Sequence, residues 1–195
     1  MPEESRRTLK HNQRSPLVID TRELGRRPGS MRKFSRTVPA PADLGLDMIG
    51  VPEGSELELD LRLEAVMEGV LVSGTARVHL AGECVRCLDE IERMLDVDFQ
   101  ELYFYPEEAQ PEDEEEALRL EGELLDLEPT LRDAVVLALP LQPVCQDDCP
   151  GLCVVCGARL ADVRDHHHDE AVDPRWAALR KYRDAVADSG ADQED

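Results

Sequence analysis

The chain has 195 residues and a formal net charge of -21, from 22 basic and 43 acidic side chains, with aromatic residues at only 4%. That length supports one good hydrophobic core plus tails, and no stretch approaches the roughly 18 to 20 continuous apolar residues of a membrane helix. So acidic a body repels phosphate within the Debye length, which excludes a protein that coats RNA broadly.

The charge is unevenly placed. Residues 1–36 carry ten Lys or Arg against Glu3, Glu4, Asp20 and Glu23, a local +6 that leaves -27 on the rest. This stretch is expected to be a basic, partly flexible N-terminal arm with a short strand near 16–20. Arg22, Arg26, Arg27, Arg32, Lys33 and Arg36 are its candidate RNA contacts, because cations that neutralise phosphates gain free energy from counterion release. Disorder of a polar tail is the competing reading of the same composition. Gly25 to Ser30 reads as a loop, and Leu44 to Val51, with Gly45, Gly50 and Pro52, as an irregular turn region.

A β-rich core is expected over 37–144. Leu57, Leu59, Leu61 and Leu63 alternate with charged residues, a period of two that puts all four leucines on one sheet face. Val70 to Leu80 alternates likewise, with Gly69 at the turn, so the two runs predict a hairpin. A third run over Leu95, Val97 and Phe99 completes a meander, with Cys84 and Cys87 at the intervening reversal. The acidic stretch 106–117 has no apolar periodicity and predicts a loop; its exposed carboxylates lack the burial that acid–base catalysis requires.

Asp126 followed by Pro129 predicts a helix over 127–139, with Leu131, Ala134, Val135 and Ala138 as its apolar stripe and Pro140 as its stop. Residues 145–170 read as a cysteine-rich metal segment. Residues 171–195 read as a C-terminal helix, striped by Trp176, Leu179, Tyr182 and Val186, and an acidic tail. The fold class is thus α+β: an antiparallel β-rich domain, meander or partly closed barrel, with packing helices and a C-terminal zinc-knuckle-like segment.

The six cysteines form two clusters, Cys84-Val85-Arg86-Cys87 and Cys145-x3-Cys149-x3-Cys153-x2-Cys156. A two-residue gap lets both sulfurs of a tight turn face one ion, and Gly157 after Cys156 permits the reversal beneath it, so structural zinc is the expected cofactor. The N-terminus lacks the apolar core of a secretory signal, which favours a cytoplasmic, reducing location over disulfides. The Cys149, Cys153, Cys156 spacing also matches a radical-enzyme iron–sulfur pattern, but only 39 residues follow it, too few for the surrounding barrel. Neither Cys-x-x-Cys pair sits in a thioredoxin-like βαβ setting. Two ligand sets remain open. Cys145, Cys149, Cys153 and Cys156 close a site locally and are preferred; Cys84, Cys87, Cys153 and Cys156 form a two-knuckle alternative. The run Asp165-His166-His167-His168-Asp169 offers an imidazole to Cys84 and Cys87, although a solvated polar loop is its plainer reading.

Over residues 15 to 185 the chain resembles the YceD-like family of large ribosomal RNA subunit accumulation proteins. The resemblance rests on Cys84-Val85-Arg86-Cys87-Leu88 after a hairpin, an acidic insertion, Leu127-Glu128-Pro129 leading to Val136-Leu137-Ala138-Leu139-Pro140-Leu141, and Cys-x3-Cys-Pro-Gly-Leu-Cys-x-x-Cys-Gly over Cys145 to Gly157. It implies a non-enzymatic factor supporting synthesis, processing or stability of 23S rRNA, with rRNA or a pre-50S particle as partner. It brings no catalytic residues and does not by itself imply metal. Two other functions fit the residues: an acidic adaptor for basic ribosomal proteins, and a metal- or thiol-dependent RNA-acting enzyme. The enzyme reading lacks an open coordination position with a general base.

Overall fold

A meander of long strands dominates the computed structural model, which describes residues 15–107, 117–163, 165–168 and 175. Strand β5 (Glu56–Ala65) turns into β6 (Gly69–Glu83), and β6 turns through the first cysteine pair into β7 (Glu90–Phe104). Both junctions are antiparallel, with Leu57 opposite Val78 and Gly69 opposite Phe104 fixing the registers. The leucine alternation has the predicted consequence: Leu57, Leu59, Leu61 and Leu63 are all buried, facing Val78, Ala76, Gly74 and Val72 across the ladder.

Two elements differ from expectation. Residues 31–36 do not belong to a flexible arm; β2 (Met31–Pro39) pairs along its whole length with β5 and forms an edge of the six-stranded sheet. Its basic composition hides an edge-strand pattern in which Val38 is buried and Phe34 packs partly against the core while the alternate residues face water. The region around Gly45 and Gly50 is not irregular either. Here β3 (Leu44–Leu46) and β4 (Ile49–Val51) make a tight hairpin in which the two glycines face each other; a Cβ on Gly45 would lie 2.5 Å from the Gly50 Cα.

Strand β4 then pairs with the far end of β6, Ile49 opposite Gly82. Gly82 is required by close approach, because a Cβ there would stand 2.3 Å from the Met48 carbonyl oxygen. Gly82→Ala should push β4 off β6 and cost about 1–3 kcal/mol, as overpacking does. A urea midpoint equal to that of the parent would contradict the fit.

A separate two-stranded sheet joins β1 (Val18–Asp20) to β8 (Leu124–Asp126). The single helix among the described residues, α1 (Glu128–Ala138), follows at once. Leu127 occupies the cap position, while Asp126 Oδ1 accepts the Glu128 N–H at 2.9 Å and Pro129 sits in the first turn. Leu131 and Val135 of α1 are fully buried, as are Leu125 and Leu127 before it, whereas Ala138, the last position of the expected stripe, is exposed. Tyr103 of β7 ties the helix down: its hydroxyl donates to the Asp126 carbonyl at 2.9 Å and lies 2.6 Å from the Thr130 hydroxyl. Burial raises the Tyr103 phenol well above its ordinary range. Among the described residues the architecture is antiparallel β with one helix, and the sheet does not close into a barrel.

The chain divides into two compact units, Met1–Cys149 and Pro150–Asp195. Cys145 and Cys149 therefore belong with the sheet, apart from Cys153 and Cys156. The residues expected to form the beginning of the arm (1–14), most of the acidic loop (108–116) and the C-terminal helix, Arg175 apart, lie outside the described residues. No helix among the described residues is long and apolar enough to cross a membrane.

Candidate metal centres

At the turn between β6 and β7 the backbone folds back on itself with one repeated hydrogen-bond scheme. The Leu88 N–H donates to the Cys84 carbonyl at 2.9 Å, and the Cys84 N–H donates to the Asp89 carbonyl at 2.8 Å. The second unit repeats it with another sequence: Gly157 N–H to Cys153 carbonyl at 2.8 Å, and Cys153 N–H to Ala158 carbonyl at 2.8 Å. In each, the residue after the second cysteine is left-handed, Leu88 at φ 62° and Gly157 at φ 72°. These are two copies of one knuckle, and the spacing of two between cysteines is what lets both sulfurs look out from the same side.

The left-handed position suits Gly157 and strains Leu88, since an L-residue there costs roughly 1–2 kcal/mol. Leu88 is 57% exposed, so its side chain returns little packing energy. Leu88→Gly should therefore raise stability by up to about 1 kcal/mol, after allowing for the extra freedom glycine gives the unfolded chain. A lower denaturation midpoint would show that Leu88 has a packing role.

The first knuckle meets Cys145 and Cys149. Cys87 Sγ lies 3.6 Å from Cys145 Sγ, and Cys84 Sγ 3.8 Å from Cys149 Sγ. Four thiolates bound tetrahedrally about 2.3 Å from an ion stand about 3.8 Å apart, whereas bonded disulfide sulfurs are about 2.05 Å apart. The spacing is that of metal ligands. Cys84, Cys87 and Cys149 are buried and Cys145 is half-buried, with all four sulfurs within 4.8 Å of one another.

Two arginines brace this loop. Arg86, between the knuckle cysteines, donates to the Cys149 carbonyl at 3.1 Å; Arg93 of β7 donates to the Val144 carbonyl at 2.5 Å; and the Val85 N–H reaches the Pro143 carbonyl at 2.9 Å. The electrostatics of the sulfurs are uneven. Burial alone would raise the Cys84 thiol, but the backbone N–H groups of Cys145, Arg86 and Cys87 outweigh it and bring it down to about 6. Burial and the facing thiols push Cys87 up to about 12, and burial raises Cys145 too. A cation is the natural replacement for the protons that so close a group of sulfurs otherwise retains.

In the second unit, Cys153, Cys156, His166 and His168 bring one donor atom each within 4.8 Å of the others. Cys156 Sγ is 3.4 Å from His166 Nε2, and the two Nε2 atoms are 2.8 Å apart with the rings edge to face. The backbone N–H groups of Cys156 and Val155 bring the Cys153 thiol down to about 6. Either group can hold a metal ion.

The grouping departs from both expected ligand sets. Cys145 and Cys149 face Cys84 and Cys87, and Cys153 and Cys156 face two histidines; the imidazoles group with the second knuckle, not with Cys84 and Cys87. Sequence spacing identifies each knuckle but not its partner; for the first knuckle the Val85 N–H to Pro143 carbonyl bond and the Arg86 and Arg93 contacts bring Cys145 and Cys149 to it. The i, i+2 spacing of His166 and His168 was the available signal for the missed pair.

The RNA-contact candidates are spread along this fold and largely engaged. Arg22 pairs with Asp20 at 3.1 Å, Arg26 pairs with Glu107 and lies 4.6 Å over the Tyr105 ring, and Arg32 pairs with Glu23. Arg36 donates to the Pro16 carbonyl at 2.7 Å. Arg27 and Lys33 are exposed.

The family model described as large ribosomal RNA subunit accumulation protein YceD matches residues 72–182. The chain belongs to the YceD family. The match takes in most of β6, with β7, α1 and all six cysteines. Uncharacterized proteins of Mycobacterium tuberculosis and Mycobacterium bovis are each 46% identical to this YceD-family chain over 174 residues, covering 88% of it and 84% of their own length. An uncharacterized protein of Mycobacterium leprae is 42% identical over 167 residues, covering 85% and 76%. No solved structure matches the chain.

Proposed function

We propose that this chain is a non-catalytic factor that supports accumulation of 23S rRNA during assembly of the large ribosomal subunit, built around a structural zinc ion held by Cys84, Cys87, Cys145 and Cys149. Membership of the YceD family carries the ribosomal part of the reading. The chemistry of the donors carries the rest. Four thiolates fill a tetrahedron and leave no position for a water or substrate, which is the pattern of scaffold zinc and not of catalytic zinc. Depletion of the protein should lower mature 23S rRNA, and a normal level and length of 23S rRNA after depletion would remove the proposal. Purified protein that cleaves or modifies precursor rRNA would replace it with an enzyme.

A second reading concerns the partner. Arg22, Arg26 and Arg32 are already matched by carboxylates, so the described surface offers few free cations for phosphate, while the chain beyond residue 36 carries -27. That balance favours basic ribosomal proteins as the direct contact, with rRNA reached through them. Co-purification that survives nuclease treatment supports protein contact; loss on nuclease treatment supports RNA contact.

A further inference from the structure

The two donor groups share a knuckle but differ in everything around it. The thiolates of the Cys84 centre sit within a large hydrophobic core, to which Cys84, Cys87 and Cys149 themselves belong. In the second unit, by contrast, no apolar side chain is buried among the described residues from 150 to 168, and Val154 at the knuckle tip is 100% exposed. With no buried apolar side chain among its described residues, the segment has little packing of its own there to offset the conformational entropy of holding Gly157 in its left-handed turn and bringing His166 and His168 back to Cys153 and Cys156. The donors themselves meet the requirement: two thiolates and two imidazoles converging on one point, a recognised zinc set.

We propose that Cys153, Cys156, His166 and His168 form a second zinc site, that its ion supplies the folding energy of the 150–168 segment, and that this ion exchanges much faster than the one at the Cys84 centre. Exposure decides the difference. Cys156 and His168 are exposed and Cys153 and His166 half-buried, so a competing chelator reaches the ion directly; at the other centre three of four sulfurs are buried and two arginines hold the ligand loop. The segment therefore orders and loosens with zinc supply while the sheet stays folded.

The test uses the full chain, purified reduced and without chelator. Zinc analysis should give two ions per chain, falling to one in the double variant His166→Ala, His168→Ala. A chromogenic chelator should withdraw zinc from the parent in two phases of one ion each, and the variant should lack the fast phase. Hydrogen exchange after the fast phase should show loss of protection at Cys153 and Gly157, with β5 and β6 unchanged. Cobalt replacing the fast ion should give the absorption of a mixed sulfur–nitrogen site. A variant that keeps two zinc ions, release in a single phase, or protection at Cys153 and Gly157 that persists without the fast ion would each overturn the proposal. One ion in the parent, lost in the histidine variant, would uphold this site and remove the buried one.

Discussion

Cys84→Ser should empty the buried centre and lower the stability of the first unit by at least about 3 kcal/mol. Structural zinc contributes about 10 to 16 kcal/mol of apparent binding free energy in small modules, and even a fraction of that is large against the roughly 5–15 kcal/mol that holds a domain together. Serine keeps the size of the side chain but not the thiolate, and Cys84 is 0% exposed, so its hydroxyl would be desolvated among sulfurs. Zinc content should fall by one ion, and hydrogen-exchange protection should be lost first where the ion joins the two ligand pairs, at Leu88 and Cys149. The α1 helix, packed through Leu131 and Val135 against β7 and β3, should stay protected longer. If Cys84→Ser retains its zinc and its melting temperature, the grouping of Cys84 with Cys149 is wrong; the corresponding variant Cys149→Ser should behave alike.

Leu131→Ala should cost about 2–5 kcal/mol, the range for a large aliphatic side chain removed from a packed interior. Leu131 is 0% exposed on the face of α1 turned toward β7 and β3, beside Val135, Leu125 and Leu127. Leu137, six residues further on, is 84% exposed, and Leu137→Ala should stay within about 0.5 kcal/mol of the parent. Denaturant midpoints of the two variants give the comparison directly. Equal effects would mean that α1 is rotated from the orientation described.

The long strands were legible because their residues alternate strictly and the buried face is made of leucine and valine; nothing but a sheet satisfies Leu57, Leu59, Leu61 and Leu63 together. The glycine hairpin was not, because Gly45 and Gly50 leave no side-chain pattern: their role is to be absent from a space that only the paired strands create. Strand β2 was hidden by its charges. Arg32 and Arg36 read as an RNA arm until Leu63 and Leu59 are found opposite them, and pairing at a sheet edge is a property of the neighbour as much as of the segment. At the metal centres the same division holds. Each Cys-x-x-Cys turn was visible as a two-toothed ligand, while the other two teeth of the first, separated by 58 residues for Cys87 and Cys145, depend on where β7 and α1 return the chain.

That separation has a bearing on how the protein comes into being. During synthesis the first knuckle emerges with only half of its donors, and an ion bound at this centre could not be fully gripped until Cys149 has also left the ribosome. What closes is a long ring of chain containing β7, the acidic stretch and α1. Because the entropic penalty of ring closure grows only logarithmically, doubling that ring would cost about 0.6 kcal/mol. The acidic stretch can therefore lengthen or shorten in evolution with little effect on the clasp, provided β7 and α1 still deliver the ring's two ends to the same ion.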